Sequence, residues 1–193
     1  MYMGIEDVIK RIELVQGDIT KLKVDAVVNA ANTRLVKGGG VDGAIHRAAG
    51  PKLAEACAQL KGCPTGQAKV TPGFNLQAKW IIHAVGPVWQ GGQAKEEELL
   101  ASCYHQALLR AHELGAHSVA FPAISTGAYG FPIAKAARIA WKIVLEFLES
   151  HLIPQKVIFC LFDRTAFEIY ASIQEQLVQG KRGILNEGQH PSG

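Results

Sequence analysis

Asp42 and His46 stand four residues apart, just after Gly38-Gly39-Gly40. At that spacing they share one face of a helix, close to its start. Adjacent glycines let a backbone approach an anion with no Cβ in the way. The helix end beyond them offers free N–H groups and a positive dipole. That dipole keeps Asp42 ionised, able to hold and polarise a water or to fix a sugar hydroxyl; an acid is also an ordinary helix-start residue. His46 is open to a packing or a hydrogen-bonding role on the same face. Asn32 ends the turn Asn29-Ala30-Ala31-Asn32, and an amide that donates and accepts at once suits a ribose diol. Asn29 is expected to satisfy buried backbone. Together these residues point to a phosphate-bearing ligand.

A second loop, Ser125-Thr126-Gly127-Ala128-Tyr129-Gly130, offers two hydroxyls and two glycines, with Pro132 in the first turn of the helix that follows. Two such loops on one sheet edge can clamp a diphosphate. Asp18, in Gly17-Asp18-Ile19-Thr20, can accept from an exocyclic amine such as adenine's, or simply make a turn. Phe162 can face a base or pack in the core. Gly38–Gly43 formally fits Gly-x-Gly-x-x-Gly, but Thr33–Lys37 separates it from its strand and no acid lies between Ala56 and Gln93. The loop therefore reads as a backbone anion cradle, not a dinucleotide fingerprint. His83, His105, His112, His117, His151 and His190 show no ligand spacing and read as surface or strand residues.

Short β-branched runs alternate with helical patterns along the chain. Strands are expected at Ile12–Val15, Val24–Asn29, Ala68–Thr71, Lys79–Val85, Ser118–Pro122 and Lys156–Phe162. Helices are expected at Val41–Ala49, Lys52–Leu60, Glu96–Leu114, Ile133–His151 and Ala166–Val178. This alternation implies an α/β sheet covered on both faces. Ligands bind beyond the carboxyl ends of such strands, and both glycine loops follow strands. Residues 1–179 form one expected domain; from Gly180 the periodicity stops, and 180–193 reads as a flexible tail.

With 193 residues, 48% hydrophobic and 19% charged, the chain can bury roughly 70% of its unfolded surface without staples. A net charge of +3, with basic and acidic residues spread along the chain, does not form the basic stripe of a nucleic-acid binder. Cys57, Cys63, Cys103 and Cys160 form no Cys-x-x-Cys pair, so no metal site is expected. Neither a signal peptide nor a run approaching ~20 apolar residues is present. A soluble, cytoplasmic protein follows.

The chain resembles the macrodomain family, and within it the MacroD-type ADP-ribosyl hydrolases. The resemblance rests on Gln16-Gly17-Asp18-Ile19-Thr20, Val28–Asn32, Gly38–Gly50, Pro64-Thr65-Gly66, His83–Trp89 and Ala120–Pro132. It implies a three-layer α/β/α macrodomain with a mixed, six-stranded sheet and ADP-ribose at the strand ends. By motif match, Asp18 holds the adenine amine with Ile19 beside it, and Phe162 lies on the adenine side. Gly39-Gly40-Val41 and Ser125–Tyr129 wrap the diphosphate. Asn32 and Asp42 address the distal ribose and the attacking water, with His46 supporting Asp42. Lys37 departs from the four glycines usual in this loop; it either reaches the ligand or points to solvent. The resemblance implies deacetylation of O-acetyl-ADP-ribose and release of mono-ADP-ribose from acidic side chains, by a monomer without metal or other cofactor. A non-catalytic ADP-ribose reader and a phosphatase acting on ADP-ribose 1″-phosphate are the alternatives.

Overall fold

Side-chain alternation along the strands decides which residues meet which helices. In β2 (Ala26–Ala31), Val28 enters one apolar core and Val27 another. In β4 (Trp80–Val85), Ile82 and Ile81 divide the same way. So do Phe159 and Cys160 of β6 (Lys156–Leu161). Burial on both faces is why these strands are near-continuous apolar runs. A computed structural model describes residues 3–187. With β1 (Ile12–Gln16), β3 (Ala68–Pro72) and β5 (Ser118–Phe121), the strands form one sheet in the order β1-β6-β5-β2-β4-β3. All neighbours are parallel except β3, which runs antiparallel to β4. The expected mixed, six-stranded α/β architecture is the one observed.

One face is covered by α1 (Ile5–Ile9), α4 (Glu96–Glu113), α5 (Ile133–Ser150) and α6 (Arg164–Val178), through residues such as Tyr104, Trp141 and Tyr170. The other carries α2 (Gly40–Ala49) and α3 (Lys52–Gln59), with Ile45 and Leu53 in its core. Local chemistry sets the boundaries. β2 starts at Ala26 because the Asp25 N–H donates to the Ser118 hydroxyl, 2.9 Å away, ahead of the ladder. α6 begins two residues before its apolar stripe because the Asp163 carboxylate caps it, accepting from the Ala166 N–H at 2.8 Å.

The carboxyl ends of β1, β6, β5, β2 and β4 fall on one edge, since these strands run parallel. From β1 to β2 is three strand spacings, about 14 Å. All four cysteines are free and buried; burial, with Asp42 and Asp18 nearby, pushes the thiols of Cys57 and Cys160 up to about 11. Among the described residues no helix is long and apolar enough to cross a membrane.

The expected tail from residue 180 needs correction. Arg182–Asn186 forms a 3-10 turn that docks on α5 and α6, burying Leu185 and pairing Arg182 with Glu149. An apolar anchor and an ion pair hold a segment too short to show periodicity. The rest of that expectation, and His190, lie outside the described residues.

Candidate functional site

Leaving β2, the chain enters a loop folded around the side chain of Asn32. The Asn32 Nδ2 donates to the Val36 carbonyl (2.7 Å), and Oδ1 accepts from the N–H groups of Arg34 and Val36 (3.2 Å each). Both lone pairs of Oδ1 are thereby used, leaving one N–H for a ligand. The expected donor-and-acceptor is narrowed to a donor. The loop then reaches Gly40, whose φ of +55° strains any other residue. The N–H groups of Gly39, Gly40 and Val41 donate to no acceptor among the described residues. They are the orphan donors of a helix start.

Asp42 lies one turn into α2, only 6% exposed. Its Oδ2 accepts from the Gly38 N–H at 2.5 Å, and its Oδ1 from the Asn29 Nδ2 at 2.6 Å. His46 Nε2 stands 3.5 Å from the same Oδ1. A carboxylate has about four lone-pair sites, so Asp42 retains acceptor capacity towards the cavity it lines. Asn29 thus serves a side chain, contrary to expectation. Sheet parity explains it: Asn29 shares the face of Val27 and Ala31, beneath α2.

His83 is likewise no ordinary strand residue. It pairs with Asn29 across β2 and β4, and its Nδ1 lies 3.1 Å from the Asn29 Nδ2. Its Nε2 lies 2.9 Å from the Thr71 hydroxyl and 3.9 Å from the Cys57 sulfur. Burial, with His46 nearby, pushes its pKa down to about 3.

The second loop follows β5. Ser125 is buried with φ +67°, and its hydroxyl has no partner among the described residues. The Thr126 hydroxyl turns back to the Ala123 carbonyl at 2.9 Å, so only one of the two foreseen hydroxyls is free. The loop is closed by Phe131 N–H to the Ser125 carbonyl and Gly130 N–H to the Gly127 carbonyl. The N–H groups of Thr126, Gly127, Ala128 and Tyr129 donate to nothing among the described residues. Gly86 lets the chain leaving β4 pass behind this loop: a Cβ there would stand 2.2 Å from Ser125 Oγ and 2.6 Å from Ile124 Cγ2. The Trp89 N–H then ties that strap to the Tyr129 carbonyl at 2.8 Å.

Both loops open onto one cavity of about 320 Å³. It gathers Asn32, Gly39, Gly40, Val41 and Asp42 with Ser125, Gly127, Ala128 and Tyr129. Gly38, part of the expected cradle, lines it as well, whereas sequence reasoning assigned no contact to Ala30, Ala31, Gly86, Ala123 and Ile124. Small or apolar residues carry no chemical signal. Lys37, Thr126 and His46 do not line it; Lys37 is exposed on the rim, and His46 is buried behind Asp42.

Asp18, Ile19 and Phe162 occupy a separate stretch of the same edge, beyond the paired ends of β1 and β6. Asp18 Oδ1 accepts from the Thr20 hydroxyl (2.7 Å) and N–H (2.9 Å), which hold this carboxyl below its usual range. The Ile19 side chain is buried in the α2-side core, while its N–H meets no acceptor among the described residues. Phe162 is 78% exposed, so the core-packing alternative is ruled out for it. No group of His, Cys, Asp or Glu able to share a metal ion occurs among the described residues.

The chain and its fold are similar to those of known proteins. A family model described as Macro domain matches residues 28–140. A Macro domain-containing protein of Methanosarcina mazei is 58% identical over 156 residues, covering 81% of this chain and 83% of its own. A protein of Salmonella newport named O-acetyl-ADP-ribose deacetylase is 50% identical over 170 residues, covering 86% and 95%. Among solved structures, the Oceanobacillus iheyensis macrodomain with ADP superposes with a TM-score of 0.84 at 41% identity, covering 93% of this chain and 97% of that one. The Trypanosoma brucei macrodomain in complex with ADP-ribose gives 0.82 at 40% identity, covering 86% and 70%. Sequence, fold and the paired glycine loops converge: the chain belongs to the Macro domain family.

Proposed function

We propose that the protein binds ADP-ribose along this sheet edge and hydrolyses its esters, removing acetyl from O-acetyl-ADP-ribose and mono-ADP-ribose from acidic protein side chains. The observation that carries the reading is the meeting, in one cavity, of two sets of unpaired N–H groups with the Asp42 carboxylate. Free N–H groups at helix and loop starts are suited to a diphosphate. In this reading Asp18 and Phe162, about 10–14 Å along the edge, take the adenine amine and ring. The relatives support it too: some are named O-acetyl-ADP-ribose deacetylases, and solved neighbours hold ADP or ADP-ribose.

In this reading, binding at adenine and diphosphate orients the distal ribose, so the scissile bond meets a positioned water. Asp42 accepts one hydrogen of that water while the Asn32 N–H and the substrate's own phosphate hold it. The oxygen attacks the acyl carbonyl and expels the ribose oxygen, which takes up the water's proton, or it attacks the anomeric carbon and expels the carboxylate, the proton passing to solvent. His46 keeps the inner side of the carboxylate closed to solvent.

The second reading, a non-catalytic ADP-ribose reader, is favoured by one feature. Two Asp42 acceptor sites already clamp Gly38 and Asn29, a role that a binding module would also need. Acetate release from O-acetyl-ADP-ribose, with calorimetric ADP-ribose titration, separates the two. For Asp42→Ala, turnover is expected to fall about 100-fold or more, and affinity far less. A wild-type protein that binds ADP-ribose but releases no acetate leaves the reader.

A further inference from the structure

A buried polar chain crosses three strands of the sheet, from Thr71 on β3 through His83 on β4 to Asn29 on β2, and ends on Asp42. Asn29 is fully buried and His83 only 1% exposed. The donor directions follow from chemistry. The Asn29 Nδ2 can only donate, and it lies 2.6 Å from a carboxylate oxygen and 3.1 Å from His83 Nδ1. Turning the amide over would set its oxygen against that carboxylate. His83 Nδ1 is therefore an acceptor, its proton sits on Nε2, and Nε2–H donates to the Thr71 hydroxyl at 2.9 Å.

The Asn29 Oδ1, by contrast, is buried with no partner among the described residues. An unsatisfied buried carbonyl is costly, and an apolar side chain would avoid that cost. The amide's value therefore lies in its two hydrogens. One is spent on Asp42, the other on a histidine that touches nothing in the cavity.

We propose that His83 is a positioning residue: by accepting one Asn29 amide hydrogen it aims the other at Asp42 and fixes the carboxylate's orientation towards the cavity. Thr71 holds the imidazole in the tautomer this requires. The inference rests on Asp42 acting on the substrate, yet it concerns residues outside the ligand's reach. His83→Leu removes the acceptor while filling similar space. His83→Asn restores one, because its Oδ1 occupies the place of Nδ1.

The test combines acetate-release kinetics, ADP-ribose calorimetry and thermal melting with NMR of the Asn29 side-chain amide. His83→Leu is expected to lower kcat about 10- to 100-fold while the ADP-ribose Kd stays within about twofold. His83→Asn is expected to recover most of that loss. In the wild type, the two Asn29 amide protons should both show hydrogen-bonded shifts; in His83→Leu one should lose its shift. Should His83→Leu keep wild-type kcat, the inference is overturned. It is equally overturned if His83→Asn folds and is no better than His83→Leu, or if the variants lose kcat and affinity in proportion. A wild type without turnover refutes the hydrolase reading alone. The Asn29 amide signals then decide this one: unaltered in His83→Leu, they overturn it.

Discussion

Replacing Asp42 by asparagine preserves shape, and the structure predicts that this conservative change is not tolerated. The Asp42 oxygens both face donors: the Gly38 N–H at 2.5 Å on one side, and the Asn29 Nδ2 at 2.6 Å on the other. An asparagine amide carries one oxygen and one NH2. With the Asn29 amide held in place by His83, the NH2 meets a donor that cannot accept, whichever way it turns. One charge-assisted bond is lost in a site only 6% exposed. A hydrogen bond to a charged group contributes about 1.5–3 kcal/mol. For a chain of this size each kcal/mol moves the melting temperature by about 2–4 °C, so the ligand-free Asp42→Asn protein should melt roughly 3–12 °C lower. Asp42→Ala removes the opposing NH2 and leaves room for water, so it should melt no lower than Asp42→Asn. Circular-dichroism melts of wild type and both variants, without ligand, make the comparison. An Asp42→Asn protein melting within about 1 °C of wild type would falsify the two-donor clamp.

Three further expectations follow from the same geometry. Gly86→Ala should destabilise the fold by about 1–3 kcal/mol through overpacking and weaken ADP-ribose binding, since Ser125 must move. Gly183→Ala, whose Cβ would meet nothing within 4 Å, is the control, and equal affinities in the two would rule out a role for the second loop. His83 should make the protein acid-sensitive. Its folded pKa of about 3 lies below the ordinary 6.5, so between those values the unfolded chain takes up a proton that the folded one refuses. Stability should therefore fall as pH drops through that window, by up to about 1.4 kcal/mol per pH unit from this residue. Urea melts from pH 7 to pH 4 should show a shallower slope for His83→Asn, and an identical slope would contradict a buried neutral imidazole. Phe162→Ala should leave the melting temperature unchanged, because the ring is 78% exposed. Its ADP-ribose affinity should drop by about 1–3 kcal/mol of lost stacking. Unaltered calorimetry would remove Phe162 from the adenine side.

The long helices were legible because eighteen-residue α4 and α5 repeat their apolar face over several turns. α1, with five residues, is too short for any period to emerge. The two glycine loops were legible because their residue types and flanking elements carry a chemical meaning. Their meeting depends on β5 pairing beside β2, a contact far apart in sequence that no local pattern encodes. An amide inside an apolar strand reads as a backbone partner, which is why the Asn29 bonds to Asp42 and His83 are not apparent from sequence. Alternation from Val27 puts it on the face of His83 and α2. Gly86 carried no local signal, as the close passage it permits exists only once Ser125 is in place.

The unpaired N–H groups belong to the starts of helices in opposite layers, α2 on one side of the sheet and α5's leading loop on the other. An anion seated between them acts as a rivet through the sheet's rim, joining the two layers there. Occupancy should thus stiffen the whole domain, by about 2.7 kcal/mol at a hundred times the dissociation constant. Amide exchange should slow first at Gly39–Val41 and Thr126–Tyr129, and least at the far antiparallel strand β3.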